Sequence, residues 1–287
     1  MLTDDRLGSP LADNRLLHLL ELYVIGDGRT AVKPQQPDTQ NTDEKTCCLK
    51  TFEWDGKPSG RIDELHDKDV YIAGDNPDAA ILIIHDLMGW SFPNARLLAD
   101  HYSREAGATV YLPDFFGGET LPFEPLLQGR FHDVDLPGFL KRNSRELREP
   151  EIFAFAEALR EKHEKVAAAG FCWGGWAVFR LGSKGHESPL VDCVTAGHPS
   201  LLTKQDIDGV SVPVQLLAPE SDPALSPEMK LHCFESMMKR GVYFEYQHFP
   251  GVEHGCLVRG DSSKDGEREA MVRGKSVAVN WFKQFLH

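Results

Sequence analysis

Gly170-Phe-Cys-Trp-Gly-Gly175 decides how this chain is read. Residues 165–169 before it form a short apolar strand candidate, and residues 176–181 after it carry a helical pattern. A sharp strand-to-helix turn that lifts its middle side chain needs small residues two places before and two after. Gly170 and Gly174 occupy those places around Cys172. The start of the next helix favours a thiolate and a developing oxyanion, and the N–H of Trp173 is one expected oxyanion donor. The bland competitor is a buried strand-end thiol, because free Cys is among the most buried residue types.

Outward from this turn, strands and helices alternate. Strands are expected at 70–73, 79–84, 108–112, 165–169, 191–196, 212–218 and 243–249. Helices are expected at 93–106, 149–163, 176–181, 227–240 and 270–286. Residues 79–84 are apolar throughout, as a strand covered on both faces requires. The alternation predicts an α/β fold with a mainly parallel central sheet and helices on both faces. Residues 115–148 show no clear periodicity and read as an irregular cover or substrate loop. That loop carries Phe115 and Phe116 beside Arg130, Arg142 and Arg145, which suits a pocket for an apolar acid. A plain packed loop is an equally ordinary reading.

A triad on such a sheet follows the chain order nucleophile, acid, His. Asp222 lies just after the 212–218 strand, and His254 just after the 243–249 strand. Both thus fall at carboxyl ends of strands, where open α/β sheets place ligands. His254 is expected to take the thiol proton, with Asp222 holding its tautomer. After the 79–84 strand, Leu87 is placed to supply the second oxyanion N–H, and Asp86 either faces the nucleophile or is an ordinary strand-end carboxylate. Arg259 could pair with a substrate carboxylate; a surface salt bridge is its competing reading.

Composition narrows the partners. The 287 residues carry 31 Lys and Arg against 44 Asp and Glu, a net charge of −13. This argues against nucleic acid and against anionic membrane surfaces. Six Cys are too sparse for a disulfide scaffold. Cys47-Cys48 lacks further ligands at a zinc spacing, and no dinucleotide or Walker pattern occurs, so neither metal nor cofactor is expected. The acidic start is not followed by a secretory apolar run, and no stretch approaches a membrane span, so a cytoplasmic location is expected. Residues 1–45 read as an arm, with a short helix around Leu16 to Tyr23 and a polar linker; residues 46–287 read as one domain. Such an arm docks on the body, pairs two copies as a homodimer, or stays free.

These residues together resemble the dienelactone hydrolase family, also called carboxymethylenebutenolidases, and its fungal branch in particular. The resemblance runs from Cys47 to the C-terminus. Its carriers are Cys47-Cys48, Phe52-Glu-Trp-Asp-Gly56, His85-Asp-Leu-Met-Gly-Trp90, Asn94-Ala-Arg-Leu-Leu-Ala-Asp100, Val110-Tyr-Leu-Pro-Asp-Phe-Phe-Gly-Gly118, the Cys172 turn and Gly251-Val-Glu-His-Gly255. It implies an α/β-hydrolase fold, cofactor-free hydrolysis of an enol-lactone, and a triad of Cys172, His254 and Asp222. It also implies an acid that restrains or accepts the thiol proton. Asp86 stands there, where bacterial members carry the longer Glu. Those members carry a substrate-binding Arg four residues after the catalytic His; Arg259 is five after His254. A second carboxylate-binding Arg is sought among Arg130, Arg142 and Arg145.

The expected function is hydrolysis of a small ester or lactone, carboxylate-bearing, through a thioester acyl-enzyme. The alternative is a non-hydrolytic member that binds or processes a reactive lactone or anhydride in a secondary-metabolite pathway. Its motive is the short Asp86, the shifted Arg259 and the Arg- and Phe-rich cover.

Overall fold

The computed structural model describes residues 56–287 apart from 128–129, 188 and 262–263. The expected arm, Cys47-Cys48 and most of the Phe52–Gly56 stretch lie outside the described residues. Eight strands form one sheet: β1 Arg61–Leu65, β2 Lys68–Ala73, β3 Ala79–Ile84, β4 Thr109–Pro113, β5 Lys165–Phe171, β6 Cys193–Gly197, β7 Val214–Ser221 and β8 Phe244–Glu253. Their spatial order is β1-β2-β4-β3-β5-β6-β7-β8. The β1–β2 and β2–β4 pairs are antiparallel, and every pair from β4 to β8 is parallel.

The helices are α1 Pro93–Ala106, α2 Phe123–Leu127, α3 Leu136–Arg142, α4 Arg145–Lys162, α5 Gly175–Leu181, α6 Lys204–Gly209, α7 Pro227–Arg240 and α8 Glu267–Leu286. They cover both faces of the sheet. One group packs α1 against α8; the other runs α4, α5, α6, α7 in succession. Local chemistry sets the ends. Both α1 and α7 start on a Pro, which needs no N–H partner there. Both end at a left-handed Gly, Gly107 and Gly241, that returns its N–H to the last turn.

The middle strands β3, β5 and β6 are buried along their length, β5 save only for Lys165 at its start. A fully buried aliphatic side chain contributes roughly 1.5–3 kcal/mol, so this apolar block drives the sheet together. Small residues, Ala167, Ala168, Ala169 and Gly170, fill β5 and let the neighbouring layers approach closely. Because β3 and β5 to β8 are parallel, their carboxyl ends lie along one edge of the sheet. That edge holds Asp86, Cys172, Ser200, Asp222 and His254 in the loops that follow the strands.

Three expectations need correction. β1 was not anticipated, because Arg61-Ile-Asp-Glu-Leu65 is an exposed edge strand with no apolar face to reveal it. α6 was also missed; it is only six residues long and held by a Thr203–Asp206 capping box. The 115–148 segment is not wholly irregular. It holds α2, α3 and the start of α4, which begins before Pro150 and carries that proline inside it. The apolar stripe of Ile152, Phe155, Ala156 and Leu159 is buried and offsets the missing Pro150 N–H. No helix among the described residues is long and apolar enough to cross a membrane.

Candidate active site

Cys172 has φ +48, a left-handed conformation that L side chains rarely adopt. Such a residue costs about 1–3 kcal/mol and persists only where its surroundings over-determine it. Here they do. A Cβ on Gly170 would lie 2.2 Å from the Gly174 carbonyl oxygen, and one on Gly174 would lie 2.2 Å from the Ile84 carbonyl oxygen. The turn is therefore closed backbone on backbone. The Cys172 carbonyl accepts from the N–H groups of Gly175 and Ser200, the latter at 2.8 Å. Beside it, the Trp173 indole Nε1–H donates to the Asn143 carbonyl at 3.2 Å, tying the turn to the segment between α3 and α4.

His254 and Asp222 meet in a buried hydrogen bond. His254 Nδ1 lies 2.9 Å from Asp222 Oδ1, which also accepts from the N–H groups of Ala224 and Leu225. The pairing is set by the last turns of β7 and β8, where the register shifts between Pro219 and Ser221 and the His254 N–H donates to the Ser221 carbonyl. Burial alone would raise the Asp222 carboxyl. The charge and hydrogen bond of His254 outweigh it and hold Asp222 below the ordinary carboxylate range. An ionised Asp222 requires His254 to keep its proton on Nδ1, so Nε2 of the neutral ring is an acceptor.

Ser200 stands between the two catalytic candidates. Its Oγ is 3.4 Å from Cys172 Sγ and 3.5 Å from His254 Nε2. Sequence reading missed it. The available signal is positional: Ser200 follows the parallel strand β6, as Cys172, Asp222 and His254 follow β5, β7 and β8. Two residues earlier, His198 is buried and packs its ring on His254 at 4.9 Å.

The loop after β3 is a small network. Asp86 Oδ1 accepts the Met88 N–H at 2.9 Å, and the Asp86 carbonyl accepts the Gly89 N–H. Burial pushes the Asp86 carboxyl up to about 6, against the Met88 N–H and the positive fields of His254 and Arg259. His85 Nδ1 lies 2.9 Å from the Asp86 carbonyl and donates to it, while Nε2 accepts the Phe115 N–H at 3.2 Å. Burial lowers His85 to about 4, so the ring is a neutral strut between the loops after β3 and β4. Phe115 and Phe116 are both buried against His85, and Phe116 also meets Trp173 edge-on at 4.8 Å.

The arginines are placed differently from one another. Arg259 lies behind His254: Nη1 donates to the His254 carbonyl at 3.2 Å, and Nε to the buried Glu267 at 3.0 Å. Arg145 forks onto Asp206 at 2.8 and 2.9 Å, reaches the Leu201 carbonyl and covers the Trp176 ring. Arg142 is exposed and holds Glu119 and Asp135; Arg130 is bound to Asp133 and Glu124. The structure thus gathers Cys172, His254, Asp222 and Ser200, with Asp86 and Arg259 close enough to act electrostatically. It engages the guanidinium groups of Arg130, Arg142 and Arg145 with carboxylates of the protein itself. Among the described residues, no group of three or more His, Cys, Asp or Glu side chains is placed to hold a metal ion.

A mostly parallel eight-stranded sheet with a strained strand-to-helix turn at Cys172 after β5 defines an α/β-hydrolase fold. Residues 69–286 match the dienelactone hydrolase family, and the chain belongs to that family. It is 28% identical to "Hydrolase tropI" of Talaromyces stipitatus over 252 residues, which cover 84% of this chain and 96% of that protein. It is 26% identical to the human "Carboxymethylenebutenolidase homolog" over 234 residues, 79% of this chain and 91% of the relative. The crystal structure of the dienelactone hydrolase from Anabaena variabilis superposes with a TM-score of 0.52 at 15% identity, covering 80% of this chain and 98% of that one, a likeness of fold. The protein is a hydrolase acting on carboxylic ester or lactone bonds.

Proposed function

We propose that the protein hydrolyses a small, carboxylate-bearing ester or enol-lactone with Cys172 as nucleophile, His254 as base and acid, and Asp222 as the orienting carboxylate. The observation that carries this reading is the 2.9 Å bond from His254 to Asp222, set beside a cysteine held at φ +48 at the start of a helix. Cys172 thiolate attacks the carbonyl carbon, and the oxyanion rests on the N–H groups of Trp173 and Leu87. The loop after β3 commits the N–H groups of Met88 and Gly89 to Asp86, which leaves Leu87 as the donor of that turn. Loss of one such donor typically costs about 2.7–4 kcal/mol of transition-state stabilisation. The tetrahedral intermediate collapses to a thioester, and the leaving alkoxide or enolate takes its proton from His254. Water, deprotonated by His254, then releases the acid.

Arg259 is the proposed partner for the substrate carboxylate. Its position beside His254 supports this, and its Glu267 anchor fixes the guanidinium plane. Asp86 serves as the auxiliary acid: a carboxyl lifted to about 6 shares a proton near neutral pH more readily than an ordinary one. Phe116 acts by shaping the floor under Trp173, and Phe115 by backing His85. The non-hydrolytic alternative is not favoured, since no observation at the site supports it over hydrolysis. The test is a panel of aryl esters and enol-lactones assayed with wild type and Cys172→Ala. Loss of turnover in the variant is expected; equal activity contradicts the proposal.

A further inference from the structure

We infer that Ser200 is a fourth catalytic residue, whose hydroxyl carries the proton between the Cys172 thiol and His254. The inference rests on the triad reading above and extends it. Ser200 Oγ is within hydrogen-bond distance of both reacting groups, 3.4 Å from Sγ and 3.5 Å from Nε2. Directionality is settled by the far end of the chain. Asp222 accepts from His254 Nδ1–H, so Nε2 accepts and the Ser200 O–H donates to it. The hydroxyl lone pairs then face the thiol, whose S–H donates to Oγ. All three bonds run the same way, from sulfur to carboxylate.

The turn that holds Ser200 is fixed at each residue. The His198 N–H donates to the Leu217 carbonyl at 2.9 Å. Pro199 packs so tightly on Gly175 that a Cβ there would lie 2.3 Å from the proline Cβ. The Ser200 N–H donates to the Cys172 carbonyl at 2.8 Å, binding the hydroxyl's own backbone to the nucleophile's. Asp86, proposed above as the auxiliary acid, has its Oδ1 engaged by the Met88 N–H of its own loop.

The step balances without a co-reactant. The Cys172 S–H bond breaks as an O–H bond forms on Ser200, and the original Ser200 O–H bond breaks as an N–H bond forms at His254 Nε2. The products are thiolate and imidazolium; the serine begins and ends neutral. The thiolate pair of electrons then forms the C–S bond, and the proton on Nε2 goes to the leaving oxygen.

The test compares wild type, Ser200→Ala, Ser200→Thr and Cys172→Ala. Hydrolysis of p-nitrophenyl acetate is followed across pH 5–9, and alkylation of Cys172 by iodoacetamide is followed by intact mass over the same range. General acid–base groups typically contribute 10²–10⁴-fold. Ser200→Ala is expected to lose about 100-fold in kcat and to slow the alkylation of Cys172, while Ser200→Thr, which keeps a hydroxyl, recovers most of both. Wild-type kcat and profile in Ser200→Ala, with Cys172→Ala inactive, would overturn the relay and leave the triad standing. Equal loss in the Ala and Thr variants overturns it too, because the hydroxyl is then not what matters. Full activity in Cys172→Ala defeats the triad reading itself.

Discussion

The His198 ring packs against the His254 ring, with centroids 4.9 Å apart and planes inclined by 60°. Neither nitrogen of His198 has a hydrogen-bond partner among the described residues, and burial, with the charge of His254, drives the ring far below its ordinary pKa. A neutral imidazole is thus held against that of His254. The sign of the linkage follows. A histidine whose folded pKa is depressed stabilises the fold fully above the unfolded value of about 6.5, and loses that stability as pH falls below it. His85, lowered to about 4 by burial, acts in the same direction. Thermal melts from pH 7.5 to 4.5 should show a falling Tm, and His198→Phe should flatten that fall. A variant with the wild-type slope would contradict this assignment.

Asp86 has the opposite sign. Burial raises its folded pKa to about 6 from an unfolded value near 3.8. Its contribution is therefore present below the unfolded pKa and lost as pH rises through about 6. At pH 8 the buried carboxylate costs about 3 kcal/mol, two pKa units and a little more at 1.36 kcal/mol each. Asp86→Asn, which keeps an oxygen for the Met88 N–H, should be more stable than wild type at pH 8 by that order, and equal to it near pH 4. Urea melts at the two pH values measure the difference; a variant less stable at pH 8 would show that the charge is needed for the fold.

Gly174→Ala tests the nucleophile turn. Its new Cβ would meet the Ile84 carbonyl oxygen at 2.2 Å, a clash with backbone that no rotamer relieves. The loss should exceed 3 kcal/mol, at the severe end for single substitutions. Gly118→Ala is the control: φ is +83 but nothing lies within 4 Å, so only the strain of about 1–2 kcal/mol is expected. Similar denaturation midpoints for the two variants would refute the close-packing account.

The core of the fold was legible because its physical demands are local. Residues 79–84 are apolar at every position and form β3 as expected, and the glycines around Cys172 leave no other residue for the turn. Asp222 and His254 were legible by their places after strands. The rest depends on distant partners. The sequence pattern starts this helix at residue 149, yet α4 begins four residues earlier, where Ser144 supplies the extended residue before the helix. Ser200 is an ordinary loop serine until the sheet brings it to residues 28 and 54 positions away. Arg145 looked available for substrate, but Asp206, 61 residues on, takes both arms of its guanidinium.

The structural anchoring of Arg259 and its proposed contact with substrate can be separated by one variant. Its pairing with buried Glu267, which burial raises despite Arg259, is structural, and breaking a buried pair typically costs 3–5 kcal/mol. Its proposed contact with a substrate carboxylate is functional. Arg259→Met in a Glu267→Gln background removes both charges together and so spares most of the stability. That double variant should raise KM at least tenfold for a carboxylate-bearing ester and leave KM for its neutral methyl ester nearly unchanged. Equal rises for both substrates would remove Arg259 from substrate recognition.

The proposed mechanism turns on acylation of Cys172. Rapid acid quench during turnover of a p-nitrophenyl ester, followed by intact and peptide mass spectrometry, reads this directly. One added acyl mass is expected on the peptide containing Cys172, released by hydroxylamine and absent from Cys172→Ala. An acyl group on any other side chain, or undiminished turnover in Cys172→Ala, would contradict it.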